Sequence, residues 1–265
     1  MPGLLVEDFH PASFSLRCRY GEDRPVHGGL ERILSAGHGR YAELLRSLDR
    51  YTGDLMALPR DLWSNEYFSG LDAVALYGMI ADRRPGRCIE IGSGYSTHFA
   101  AAAIRKHSPS TQLIAVDPQP RTDVEELCAC IHRISLQDID LHVFDQLMPG
   151  DVLFLDGSHR VIQNSDVVVF FLDILPSLPP GVFVHLHDIF WPNDYQTSWI
   201  NRMYSEQYML GAVLLHASES FRVLLPNAYI QQKSDLVGVL ARLWMEGAPI
   251  GMRPLGGSFW FTKTR

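Results

Sequence analysis

A layered α/β architecture, a mostly parallel sheet of seven strands with helices on both faces, is the fold class the sequence predicts. Three observations predict it. From residue 87 onward, short apolar runs alternate with segments of helical periodicity. The runs are continuous in apolar character rather than alternating, as expected of parallel strands covered on both sides. The first of them, Arg87–Ile91, breaks at once into Gly92-Ser93-Gly94 and an alanine-rich helix, a strand, glycine turn and helix in direct succession.

The elements follow in order. Residues 1–60 read as an irregular start and one amphipathic helix carrying Leu30, Ile33, Leu34, Tyr41, Leu44, Leu45 and Leu48, an N-terminal helical cap on the main domain of residues 61–265. Within Leu62–Ile80, the helical spacing of Leu71, Val74, Ala75 and Met79 reads as a helix leading into the first strand. Asn65, Tyr67 and Phe68 lie just before that helix, where a loop can fold back over the glycine turn. Strands are expected at 87–91, 112–117, about 132–136, 151–156, 182–187 and 221–225, with helices near 96–107, 124–130, 161–175 and 198–217 between them. A helix-like stretch at 233–244 precedes Gly257–Lys263, expected to be the antiparallel last strand beside the sixth.

Length and composition bound the function. The 265 residues suit one large domain, or one domain with an appendage. A hydrophobic share of 46% with 20% charged residues is that of a soluble globular protein. The net charge of −7 gives no support to a nucleic-acid partner. No apolar run approaches the roughly 20 residues that span a bilayer, so no membrane partner is expected. Met1–Asp8 lacks a basic segment followed by an apolar one, and a cytoplasmic protein is the expectation. Cys18, Cys88, Cys128 and Cys130 form no Cys-x-x-Cys pair and read as reduced structural thiols.

In open α/β sheets ligands bind beyond the carboxyl ends of the strands. Those ends carry Glu90 with the glycine turn, then Asp117, Gln137 and Asp138, Asp156-Gly-Ser-His159, and His187-Asp188. Asp117 falls about 25 residues past the turn, where a ribose-binding carboxylate is expected.

On Glu90-Ile-Gly-Ser-Gly94, Asp117 and the closing segment Ser258–Lys263, residues 60–265 resemble the class I S-adenosylmethionine (SAM)-dependent methyltransferases, a Rossmann-like family. Within it, Asp156-Gly-Ser-His159 and His187-Asp188-Ile-Phe190 resemble a bacterial group related to metal-dependent small-molecule, sugar or macrolide O-methyltransferases. The resemblance implies that Gly92 and Gly94 line the methionine part of SAM, that Asp117 holds the ribose, and that Gln137 and Asp138 flank the adenine. Glu90, Ser93, Tyr95, Ser96, Thr97 and Asp156 would complete the cofactor site. A nicotinamide-binding turn usually carries a third glycine, and Thr97 stands where it would be expected, which favours SAM.

Metal-dependent relatives place an acid after the fourth strand and Asp-Asn or Asp-Asp after the fifth. Asp156 and Asp188 match, but the next residue, Ile189, cannot ligate. His159 and His187 are available replacements, and a set of Asp156, His159, His187 and Asp188 suits Mn²⁺, Fe²⁺ or Zn²⁺ better than Mg²⁺. His185 and His187 share one side of a regular strand and Asp188 takes the other, so convergence needs a bend there. The competing role is acid–base catalysis by His159 or His187, oriented by Asp156 or Asp188. Both stay open. Phe190, Trp191, Tyr195, Trp199, Tyr204, Glu206 and Tyr208 are candidates to line a pocket for a small-molecule acceptor, methylated at oxygen. Rival readings are a metal-dependent oxygenase or hydroxylase on the same fold, and a non-catalytic SAM-binding subunit; a homo-oligomer stays open.

Overall fold

The computed structural model describes residues 17–68 and 70–265. Seven strands, β1 (Arg87–Ile91), β2 (Gln112–Val116), β3 (Cys130–His132), β4 (Val152–Leu155), β5 (Phe183–Leu186), β6 (Phe221–Pro226) and β7 (Phe259–Lys263), form one sheet in the order β3-β2-β1-β4-β5-β7-β6. The first five are mutually parallel. β7 runs antiparallel to both β5 and β6, as the last strand was expected to. The fold is the Rossmann-like α/β sheet predicted from the pattern of apolar runs.

Its topology locates the site. The chain steps outward from β1 through β2 to β3, then returns to the other side of β1 as β4. Strand order therefore reverses between β1 and β4, which opens a crevice at their carboxyl ends. The register brings those ends level, with Ile91 opposite both Val116 and Leu155. Backbone bonds continue the ladder past each end: Gly92 N–H donates to Val116 at 3.0 Å, Asp156 N–H to Ile91 at 2.8 Å, and His187 N–H to Leu155 at 3.1 Å. Gly92, Asp156 and His187 emerge from adjacent strands at one level.

The central strands hold because they are buried along their length: Cys88–Ile91 of β1 and all of β4 are inaccessible. Each Leu, Ile or Phe so buried contributes roughly 1.5–3 kcal/mol. The helices Leu71–Arg83 and Tyr95–His107 pack against each other beside the sheet. The expected single N-terminal helix is two, Gly28–Ser35 and His38–Asp49, broken at Ala36-Gly37. Leu30, Leu34, Tyr41, Leu45 and Leu48 join the same core as the sheet. Residues 1–16 of the expected cap lie outside the described residues.

Several boundaries differ from expectation. β3 is Cys130–His132 rather than 132–136, because Ile114 pairs with Cys130 and Val116 with His132; the more polar residues that follow run into a 3-10 turn, Leu136–Asp138. No helix forms at 124–130, which is turn leading into that strand. The 161–175 helix begins only at Asp166, where the Ser165 hydroxyl accepts from Val168 N–H, and it widens into a π-type turn at Phe170–Ile174. The 198–217 helix divides at Met203, in the left-handed region at φ 57°, into a 3-10 turn, Thr197–Arg202, and a helix, Glu206–Ala217. The helix expected from the spacing of Leu71, Val74, Ala75 and Met79 is Leu71–Arg83, and in the loop just before it the Asn65 carboxamide accepts from Tyr67 and Phe68 N–H. The 233–244 stretch is two short helices, Ser234–Gly238 and Ala241–Gly247.

Candidate active site

The glycine turn is held from beneath by two carboxyl groups. Glu90, wholly buried in β1, accepts from the Thr97 hydroxyl at 2.6 Å and from the Ser96 hydroxyl. Thr97 Oγ1 in turn accepts from Gly94 N–H at 2.9 Å. Burial raises the Glu90 carboxyl from 4.5 to about 8, against the pull of those two hydroxyls. Asp117, at the end of β2, accepts from Ser93 N–H at 2.6 Å and from its hydroxyl at 3.0 Å, while its other oxygen accepts from Gln119 N–H at 2.8 Å. The predicted ribose carboxylate is therefore tied to the turn itself.

Gly92 has no substitute. Its φ is +80°, and a Cβ there would run into the backbone carbonyl of Asp156. The turn and the end of β4 touch at that point, so the two halves of the site are mechanically joined. Tyr95, at the first position of its helix, lies parallel to Tyr67 at 6.0 Å, and the Arg121 guanidinium sits 4.1 Å over the Tyr67 ring. The loop at 64–68 does fold back toward the glycine turn, and Arg121 is a site residue that sequence reasoning missed. Gln137 and Asp138 lie exposed on the 3-10 turn after β3.

Next to the turn, four predicted residues meet. His159 Nε2 is 3.2 Å from Asp156 and 3.6 Å from Asp188; His187 Nδ1 is 3.3 Å from Asp156 and 3.7 Å from Asp188. The bend needed after His187 is present, since Asp188 adopts φ 54° and turns its carboxylate back to the histidine. His159 is likewise left-handed at φ 58°. His185 stays apart. It is stacked between Phe154 at 3.8 Å and Trp260 at 4.2 Å, bonds Ser258 at 2.7 Å, and burial keeps it neutral.

Charge is divided unevenly in this cluster. Burial opposes ionisation of every member, yet Asp156 is pulled well below the usual carboxylate range by His187 and His159. Asp188 moves the other way, raised by burial despite the same two rings. Burial works against both imidazolium ions as well, but Asp156 and Glu206 hold His159 charged to well above 6.5, and Asp156 and Asp188 do so for His187. At neutral pH the cluster is two imidazolium rings alternating with two carboxyl groups.

Two acids not foreseen as partners stand behind the rings. Glu206 lies 2.8 Å from His159 Nδ1, and Asp72 lies 3.3 Å from His187 Nε2. Glu206 was expected in the acceptor pocket, and the Glu-to-His pairing carries no local signal across 47 residues. Asp72 sits in the first turn of a helix, and nothing in the pattern links it to a histidine 115 residues away.

The expected metal set does not fit Mg²⁺. Ile189 is fully buried at the third position, and two ring nitrogens take the place of oxygens. Among the described residues, no group of three or more His, Cys, Asp or Glu side chains is gathered to hold an ion. Also among them, no helix is long and apolar enough to cross a membrane.

The aromatic set divides. Phe190, Trp199, Tyr204 and Tyr195 form a closed ring of edge contacts at 5.3, 5.7, 5.8 and 5.9 Å, with Tyr204 4.6 Å from His159. Trp191 turns away, donating its indole N–H to the Gln207 carbonyl, and Tyr208 bonds Asp194 at the surface. A groove of about 720 Å³ opens at the amino end of β6, lined in part by Arg32, Arg40 and Arg222, and shares none of the site residues.

Residues 89–189 match a family model described as a methyltransferase domain, a span that includes the end of β1, the glycine turn, Asp117 and the Asp156–Asp188 cluster. A protein of Archaeoglobus fulgidus described as uncharacterized is 30% identical over 90 residues, 32% of this chain. The matched part spans 41% of that relative's length. Among solved structures, the SAH-bound methyltransferase PaMTH1 of Podospora anserina aligns over 92% of this chain and 99% of its own at 15% identity, with a TM-score of 0.46. The plantazolicin methyltransferase BpumL in complex with SAH aligns over 89% of this chain and 99% of its own at 12% identity, with a TM-score of 0.42.

Proposed function

We propose that the chain is a SAM-dependent methyltransferase acting on a small organic acceptor, at oxygen. The observation that carries this reading is the strand-end pair of Glu90 and Asp117 gripping Gly92-Ser93-Gly94 at the switch in strand order. A turn held in that way presents backbone N–H groups at the start of the Tyr95–His107 helix to a polar ligand end. Asp117 keeps lone pairs for a ribose diol, and Gly92 leaves no side chain in the way. The methyltransferase-domain match over the same residues supports it.

When bound, SAM supplies an electrophilic methyl on a sulfonium sulfur. Transfer moves that methyl to the acceptor oxygen, the broken bond's electron pair stays on sulfur, and the acceptor's proton must leave. The cluster beside the turn is built to receive it. His159 or His187, once neutral, accepts the proton through the nitrogen that faces Asp156 and Asp188. Asp156, held ionised, then stabilises the imidazolium formed. The ring of Phe190, Trp199, Tyr204 and Tyr195 flanks His159 on the acceptor side and favours an apolar or planar acceptor body.

A second reading has one observation in its favour. The nitrogen–oxygen spacings of 3.2–3.7 Å in the ring are long for charge-assisted bonds, which run about 2.7–2.9 Å. As they stand the four side chains are not gathered to hold an ion, and binding one would require them to draw together. Mn²⁺, Fe²⁺ or Zn²⁺ would then replace the two ring protons, held by Asp156, His159, His187 and Asp188.

Calorimetric titration of metal-stripped protein with SAM, repeated with Mg²⁺, Mn²⁺ and Fe²⁺, tests both. Binding in the micromolar range, weakened about tenfold or more by Asp117→Ala, is expected. Failure to bind SAM under every condition would sink the methyltransferase reading. Tight binding of Mn²⁺ or Fe²⁺ that releases protons and is lost in His159→Ala would establish the second.

A further inference from the structure

Both histidines of the cluster are held from behind, and by opposite nitrogens. His159 turns Nε2 inward and Nδ1 toward Glu206; His187 turns Nδ1 inward and Nε2 toward Asp72. We infer that Glu206 and Asp72 are positioning residues, each binding the outer ring nitrogen of one histidine so that the inner nitrogen is delivered to the Asp156–Asp188 pair. The inference rests on the reading of that cluster as the place where the acceptor loses its proton.

Packing does not account for the Glu206 carboxylate. Glu206 is wholly buried at the start of the Glu206–Ala217 helix, yet only Oε2 is bonded, and Oε1 has no protein partner among the described residues. A buried carboxylate with a bare oxygen is a costly way to begin a helix. What it secures is His159. The His159 carbonyl accepts from Ser205 N–H at 2.7 Å and Glu206 N–H at 3.1 Å, so backbone and ring are both fastened to that helix start. The left-handed backbone at His159, unfavourable for a non-glycine residue, is maintained by these three bonds.

Asp72 is saturated where Glu206 is bare. Its Oδ1 accepts from Asn227 Nδ2 and Ser258 N–H, both at 2.8 Å, and Oδ2 from Gly257 N–H at 2.8 Å before it reaches His187. Three fixed donors define where this carboxylate sits, and through it the His187 ring plane. The two devices differ in rigidity but give the same result: an inward nitrogen whose direction does not depend on substrate. A carboxylate behind a histidine also fixes which nitrogen keeps the proton when the ring is neutral. His159 would keep it on Nδ1 and accept through Nε2; His187 would keep it on Nε2 and accept through Nδ1.

That opposition gives the test. In protein carrying ¹⁵N-labelled histidine, long-range ¹H–¹⁵N spectra on the alkaline side of the ring titrations should show His159 as the Nδ1–H tautomer and His187 as Nε2–H. Glu206→Leu should return His159 to Nε2–H and lower kcat by roughly 10²-fold or more, with SAM affinity within about twofold of the parent. Glu206→Gln, whose amide oxygen can still accept from Nδ1–H, should retain the tautomer and most of kcat. Asp72→Asn, whose amide oxygen can likewise accept from Nε2–H, should leave His187 as the Nε2–H tautomer and retain most of kcat. An unchanged His159 tautomer in Glu206→Leu overturns the inference, as does a parallel loss of SAM affinity and thermal stability with no separate effect on kcat. The tautomers are read without turnover, so failure of the methyltransferase reading leaves this result interpretable.

Discussion

Replacing Glu90 with glutamine isolates what it costs to keep a carboxyl group inside β1. In the folded chain burial raises this group to about 8, against an ordinary 4.5. Between those values the unfolded chain ionises Glu90 and the folded chain does not. Its contribution to stability is thus full below about 4.5, and is lost as pH rises toward about 8. The interval is roughly 3.5 pH units, which at about 1.36 kcal/mol per unit gives a ceiling of roughly 5 kcal/mol. Glutamine resembles the protonated acid in shape and cannot ionise. Denaturant unfolding of both proteins should therefore differ by less than about 1 kcal/mol near pH 5, with Glu90→Gln the more stable by several kcal/mol near pH 8.5. The raised histidines also lose their stabilising charge as pH rises, but both proteins share that loss and it cancels in the difference. A difference that stays constant with pH, or a wild type that gains on the variant toward alkaline pH, would refute the assignment of Glu90 as a neutral buried acid.

Three further outcomes are expected. Catalysis through a neutral histidine requires the rate to rise with pH through the titration of His159 or His187, both raised well above 6.5; a kcat profile with its rising limb below pH 6.5 would remove both as the base. Gly92→Ala should cost about 1–3 kcal/mol in backbone strain and at least about tenfold in SAM affinity, measured by denaturation and calorimetry, because its methyl meets the Asp156 carbonyl. Phe154→Ala should lose about 3–5 kcal/mol on denaturation, since Phe154 is fully buried in β4 and stacks on His185; a loss under about 1 kcal/mol would show that the core collapses around the gap.

The succession of strands along the chain, the glycine turn and the polar residues at strand ends were legible in the amino-acid sequence, while the helix expected at 124–130 was not formed. They depend on short-range rules: continuous apolar runs must be covered on both faces, glycine permits a positive φ, and a strand's last residue faces the crevice. Asp117, Asp156, His159, His187 and Asp188 could be named on that basis alone. Tertiary structure decided what they do to one another. The left-handed turn at Asp188 brings side chains together that a regular strand would part, and it is stabilised by contacts that periodicity does not encode. Asp72 and Glu206 reach their histidines across 115 and 47 residues, and Arg121 finds Tyr67 only because two loops meet over the glycine turn. Charge state belongs to the same level. Glu90 is a neutral acid and His159 an imidazolium because of burial and neighbours from distant elements, and a residue's identity alone sets neither.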